Sequence, residues 1–151
     1  MYNHAPKGYA CPFCRIVHES AAGEISEIVF QDEVVTALMS LHDPPKNLGH
    51  VAVVPNEHFE NIYDLPAPVA AKIHECARVV ALAMKSAYGC DGITLRQNNE
   101  PTGGQDVWHY HLHIYPRYEG DNFPRVEKEV TPEEQRVDCA KRLREHLVNH
   151  A

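Results

Sequence analysis

The stretch Gly103-Gly104-Gln105-Asp106-Val107-Trp108-His109-Tyr110-His111-Leu112-His113-Ile114-Tyr115-Pro116-Arg117 carries a histidine at every second position from 109 to 113. In an extended strand, side chains two residues apart share a face. Read as a strand over 107–116, it sends His109, His111 and His113 to one side. Trp108, Tyr110, Leu112 and Ile114 go to the other and mark the side that packs on a core. Packing gives no reason for three imidazoles in a row. Two chemistries do. Neutral imidazole is a common zinc ligand. With an ordinary pKa of ~6.5 it is also largely neutral at pH 7, so a ring nitrogen can attack phosphorus while its neighbours hold its tautomer. Gly103-Gly104 lets backbone N–H groups come close to an anion.

Working outward, residues 27–32 and 34–39 read as two strands joined by a turn at Asp32-Glu33. Residues 42–49, with two prolines and a glycine, read as a loop, and 50–55 as a third strand ended by Pro55. Val69 to Tyr88 is the strongest helix pattern: Val69, Ile73, Ala77, Val80 and Met84 recur at three- and four-residue steps, and Gly89 stops it. Residues 93–98 form a fourth strand and the histidine stretch a fifth. A last helix runs from about Pro132 to Leu147, with Thr131 as N-cap and Glu133-Glu134 in its first turn. The order predicts an α+β domain with a mainly antiparallel five-stranded sheet, a long central helix and a C-terminal helix. Residues 1–9 are read as a flexible tail and 10–151 as one domain, a size consistent with a single core at 151 residues.

Hydrophobic residues make up 44% and charged residues 23%, which excludes a disordered chain. A net charge of −7 leaves no basic field for a nucleic acid polymer. No apolar run reaches the ~18 residues of a membrane span, and the N-terminus lacks a secretory signal, so a cytoplasmic protein with no membrane partner is expected. Five cysteines, an odd number, then point to reduced thiols or metal ligands. Cys11-x-x-Cys14 is half a zinc site, and by itself equally a redox pair. Cys76, Cys90 and Cys139 read as structural.

The run His109 to Tyr115 resembles the histidine-triad (HIT) superfamily motif, histidines alternating with apolar residues. Gly104-Gln105 upstream and Pro116-Arg117 downstream sharpen the likeness. Asn98 and the block Gly49-His50-Val51-Ala52-Val53-Val54-Pro55-Asn56-Glu57-His58 resemble further family elements, and Cys11-Pro12-Phe13-Cys14-Arg15-Ile16-Val17 resembles the opening of bacterial and Hint-like members. The resemblance spans roughly residues 11–120 and implies the HIT-like fold. It implies that His111 is the nucleophile, forming a covalent nucleotidyl-histidine, with His50 and His109 beside it. His113 and Asn98 are then phosphate contacts, in a pocket shaped by Gly103, Gly104 and Gln105. It implies a purine nucleotide substrate with a P–N or phosphoanhydride bond, no organic cofactor, and a homodimer formed through the long helix and the strand after it. It also implies a structural zinc on Cys11, Cys14, His58 and His109.

Two positions depart from the family pattern. Asp106 stands where many members carry Ser or Thr; it must either point away from the phosphate or alter how the leaving group is handled. The family's ribose-binding acid or amide falls in register at His42, with Asp43 next to it, and either could serve. The rival readings are a metal-dependent cupin-like enzyme, for which no glycine-rich strand follows Glu119, and a non-catalytic nucleotide-binding scaffold with the same fold.

Overall fold

The computed structural model describes residues 2–21, 26–123 and 127–147. The last expected domain residues, 148–151, lie outside that set. The elements in order are α1 (Pro12–Ala21), β1 (Ile28–Gln31), β2 (Val35–Met39), β3 (His42–Asp43), β4 (Val51–Pro55), α2 (Ala67–Tyr88), β5 (Gly92–Gln97), β6 (Leu112–Arg117), β7 (Glu129–Val130) and α3 (Glu133–Leu147). Five strands form an antiparallel sheet in the order β1-β2-β4-β6-β5, and β3 pairs with β7 in a small second sheet. The expected α+β fold is the one observed.

Residue chemistry accounts for these boundaries. Asp32 Oδ1 accepts the N–H groups of Val34 and Val35 at 2.8 and 2.9 Å, which closes the β1–β2 turn. Helix α2 ends where Gly89 takes the left-handed conformation, φ 64°, and its N–H caps the Lys85 carbonyl. The helix buries Ile73, Cys76, Ala77, Val80, Ala83 and Met84. These pack with β4, β6 and the α3 residues Cys139, Ala140, Leu143 and Leu147 in one core.

Five readings need correction. The histidine strand starts at Leu112, not 107. Upstream of it, Tyr110 N–H bonds the Phe59 carbonyl and His109 N–H bonds the Val107 carbonyl, so the backbone leaves the ladder beside Pro55. Trp108 is only half-buried and stands 5.8 Å from the His4 ring, outside the core that Tyr110, Leu112 and Ile114 enter. The loop at 42–49 begins with a strand, because His42 and Asp43 pair with Val130 and Glu129. Thr131, expected as a helix cap, gives its hydroxyl to Asp43 Oδ2 at 2.6 Å. Residues 12–21, which the sequence reading left without an element, form α1.

Residues 2–9, read as a flexible tail, lie against the segment that follows β4. Ala5 N–H bonds Glu60 Oε2, Asn61 Nδ2 bonds the Tyr2 carbonyl, and the Tyr9 hydroxyl accepts Trp108 N–H.

Candidate functional site

All three triad imidazoles stand together in well-enclosed positions. His109 and His111 are buried and His113 is half-buried. The rings of His111 and His113 meet edge-on at 4.7 Å. Each ring has a different hydrogen-bond assignment; a carbonyl, which only accepts, fixes those of His109 and His111 directly and that of His113 through His50.

His111 Nδ1 lies 2.7 Å from the His109 carbonyl, so Nδ1 carries the proton and Nε2 keeps a lone pair. His109 Nε2 donates to the Pro55 carbonyl at 2.9 Å, which leaves its Nδ1 lone pair facing Cys11 and Cys14. His50 Nδ1 donates to the His42 carbonyl at 3.1 Å, and its Nε2 accepts His113 Nδ1–H at 2.7 Å. Burial pushes His50 down to about 3 and His113 down to about 2, so both are neutral at pH 7. Tyr115 stacks on His50 with centroids 3.9 Å apart, and Lys128 Nζ bonds the Tyr115 hydroxyl at 2.6 Å.

A cavity of about 400 Å³ opens beside His111 and His113. That volume suits a small-molecule ligand. Phe13 and Ile16 of α1 and Leu38 of β2 supply apolar wall, and His42 and Asp106 supply polar groups. Phe13 sits 5.3 Å from the His111 ring. Asp106 is largely exposed, yet its Oδ1 is 3.7 Å from His111 Nε2. Of the two arrangements open from sequence, the carboxylate adopts the one directed at the site.

His42 faces the cavity, whereas Asp43 is buried behind it. Asp43 accepts His50 N–H at 2.9 Å and the Thr131 hydroxyl. Its carboxylate therefore positions the His50 backbone. Asn98, Gly103, Gly104 and Gln105 do not line the cavity. The N–H groups of Gly103 and Gly104 bond the carbonyls of Glu100 and Pro101, and Asn98 Nδ2 bonds the Gly104 carbonyl. Gln105 is buried, with Nε2 on the Glu60 and Val107 carbonyls and Oε1 on Glu100 N–H. A Cβ on Gly103 would lie 2.0 Å from the Asn99 carbonyl oxygen, so only glycine fits this turn. Together the four residues shape the loop that delivers Asp106 and Val107 to the cavity.

A second cluster adjoins the first. The ligand atoms of Cys11, Cys14, His58 and His109 all lie within 4.8 Å of one another. Cys11 Sγ is 3.3 Å from His109 Nδ1, and Cys14 Sγ is 3.2 Å from His58 Nδ1. A tetrahedral zinc with bonds of ~2.3 Å to sulfur and ~2.0–2.1 Å to nitrogen sets such pairs about 3.5 Å apart. The donor set and its spacing fit that ion. The Pro55 carbonyl on His109 Nε2 is the outer partner that a ligating histidine needs.

The family model for the HIT domain matches residues 23–120. The chain belongs to the HIT family. It is 37% identical over 120 residues to "Protein hit" of Bacillus subtilis, covering 78% of this chain and 79% of that protein. A Zn-bound histidine triad family protein from Mycobacterium smegmatis superposes with a TM-score of 0.77 at 26% identity, covering 93% of this chain and 94% of its own. The adenylylsulfatase HINT3 of Arabidopsis thaliana is 29% identical over 112 residues, 74% of this chain but 54% of that longer protein. HIT-family relatives thus include nucleotide-acting hydrolases.

Sequence reasoning missed α1 as a wall of the cavity, along with Lys128 and Thr131. Phe13, Ile16, Val17 and Ser20 stand at helical spacing behind Pro12, a signal that could have found the helix. Thr131 reads only as a helix cap and Lys128 carries no signal, since the distant β3–β7 pairing brings both in.

Proposed function

We propose that this HIT protein cleaves a nucleotide at its α-phosphorus through a covalent nucleotidyl-histidine on His111. The observation that carries the reading is the His111 tautomer: Nδ1–H is held by the His109 carbonyl, and Nε2 keeps its lone pair beside a ligand-sized cavity. Attack by Nε2 forms the N–P bond and expels the leaving group. Water then attacks the same phosphorus, releases the nucleoside monophosphate and restores the imidazole. His113 meets a phosphate oxygen once Nε2 takes a proton, which the anion's charge favours. His50 orients His113, and His42 is the candidate for the ribose hydroxyls. Purine is the base we favour, with Phe13, Ile16 and Leu38 as its apolar wall. Asn98, Gly103, Gly104 and Gln105 hold the phosphate-side loop.

Zinc at Cys11, Cys14, His58 and His109 is proposed as structural, because four protein ligands leave no open position for substrate. It would tie α1 to the His109 backbone. We further propose a homodimer through α2 and the open edge strand β5, where Leu82 and Leu95 stay exposed.

The test is AMP release from adenosine phosphoramidate and from diadenosine polyphosphates. Turnover by the parent chain, its loss in His111→Ala with nucleotide binding retained, and a trapped adenylylated His111 support the reading. Equal turnover in His111→Ala and the parent refutes it.

A further inference from the structure

We propose that Asp106 makes the site discriminate by the charge of the leaving group, favouring amines over phosphates. This rests on His111 being the nucleophile. The Asp106 carboxylate lies 3.7 Å from Nε2, the atom that must reach phosphorus, and shares the cavity wall with His111 and His113. Any substrate bound for attack therefore has this negative charge within one residue's reach of the reacting phosphorus. The other acid on the cavity wall, Glu27, already pairs with Arg136. Asp106 is the one whose charge faces the nucleophile.

The consequence follows from where charge develops. When Nε2 attacks a phosphoramidate, the N–P bond to His111 forms and the P–N bond breaks. Its electron pair stays on the departing nitrogen, which leaves as the free amine after taking a proton from solvent. The departing nitrogen is neutral or cationic and carries N–H donors, so a carboxylate alongside stabilises it. When the scissile bond is P–O–P, the electron pair goes to a phosphate oxygen, and the departing group is an anion of at least one added charge. The same carboxylate then opposes both binding and departure. At ~4 Å two unit charges interact by enough, even at an effective dielectric of ~20, to change rates by more than tenfold. Exposure of Asp106 weakens this without reversing its sign. A Ser or Thr at the position, neutral and able to donate, would carry no such bias.

The experiment compares kcat/KM for adenosine phosphoramidate with kcat/KM for diadenosine triphosphate, in the parent, Asp106→Asn, Asp106→Ser and Asp106→Glu. The side chain is exposed, so these variants should fold, and circular dichroism of each checks it. The parent is expected to prefer the phosphoramidate. Asp106→Asn and Asp106→Ser should lower that preference about tenfold, mainly by raising turnover of the polyphosphate, while Asp106→Glu retains it. Raised salt should narrow the parent's preference and leave that of Asp106→Asn unchanged. An unaltered ratio in Asp106→Asn overturns the role of Asp106 while the nucleophile assignment stands. A parent that cleaves neither substrate, or a His111→Ala variant as active as the parent, overturns the functional reading and this inference with it.

Discussion

Acid should destabilise this protein through His50, and the size of the effect follows from its surroundings. The imidazole is fully buried, with Nδ1–H on the His42 carbonyl and Nε2 taken by His113. Lys128 adds positive charge near it, while the Asp43 carboxylate, 3.8 Å from Nδ1, is held by Thr131 and the His50 N–H. Burial is the largest cause of a folded pKa near 3, against an ordinary 6.5. A histidine with a depressed folded pKa supports the fold fully above 6.5. That support is lost as pH falls, because the unfolded chain takes the proton first. Between pH 7 and pH 5 the two protonation curves separate by about 2 kcal/mol.

Urea unfolding at both pH values, in the parent and in His50→Asn, isolates the term. Protonation of the Cys/His cluster is common to both chains and cancels in the difference. The parent should lose about 2 kcal/mol more than the variant between pH 7 and pH 5. His50→Gln provides a second background if His50→Asn is too unstable to measure. Equal losses in parent and variant would refute the argument that His50 is held neutral by burial.

Protein purified without chelator should contain one zinc per chain, and Cys14→Ser should contain less than half as much by elemental analysis. Chelation should raise hydrogen exchange in residues 2–21 more than in β4 and β6, since metal binding to the folded site adds to folding free energy. Gly103→Ala should cost about 1–3 kcal/mol in thermal unfolding, because its Cβ meets the Asn99 carbonyl oxygen at 2.0 Å. Light scattering at micromolar concentration should give twice the mass of one chain; a single-chain mass would leave α3 as the only cover for the outer arc of α2.

Periodicity carried most of the fold. The steps Val69, Ile73, Ala77, Val80 and Met84 and the stop at Gly89 place α2 to within two residues of its observed span, Ala67–Tyr88. Spacing alone showed the Cys11-x-x-Cys14 half of the metal-ligand set and the family resemblance supplied His58 and His109; all four ligand atoms come together in space. Contacts between distant short segments stayed hidden. The β3–β7 pair joins residues 42–43 to 129–130, with only two residues in each strand, too short for any alternation to show. That pair decides which of His42 and Asp43 faces the cavity, so the sequence left both open.

The misread start of the histidine strand matters for the chemistry. In a regular ladder running from 107, neighbouring N–H groups would claim the carbonyls of this stretch. The ladder begins only at Leu112, and the carbonyl of His109 lies outside it, turned to accept Nδ1–H of His111. The same departure aims His109 Nδ1 at the cysteines and lets its Nε2–H reach Pro55. From Leu112 onward the strand is regular, and His113 opposes Ala52 across the ladder with its Nδ1–H on His50. Three identical side chains at a two-residue spacing thus receive three different partners on their donor nitrogen. The lone pairs then differ in surroundings: that of His109 lies beside the cysteines and that of His111 at the cavity, while His113, on the cavity wall, has its Nδ1–H turned to His50. Alternation told which side the imidazoles occupy; the break in the ladder divides metal ligation from attack on phosphorus.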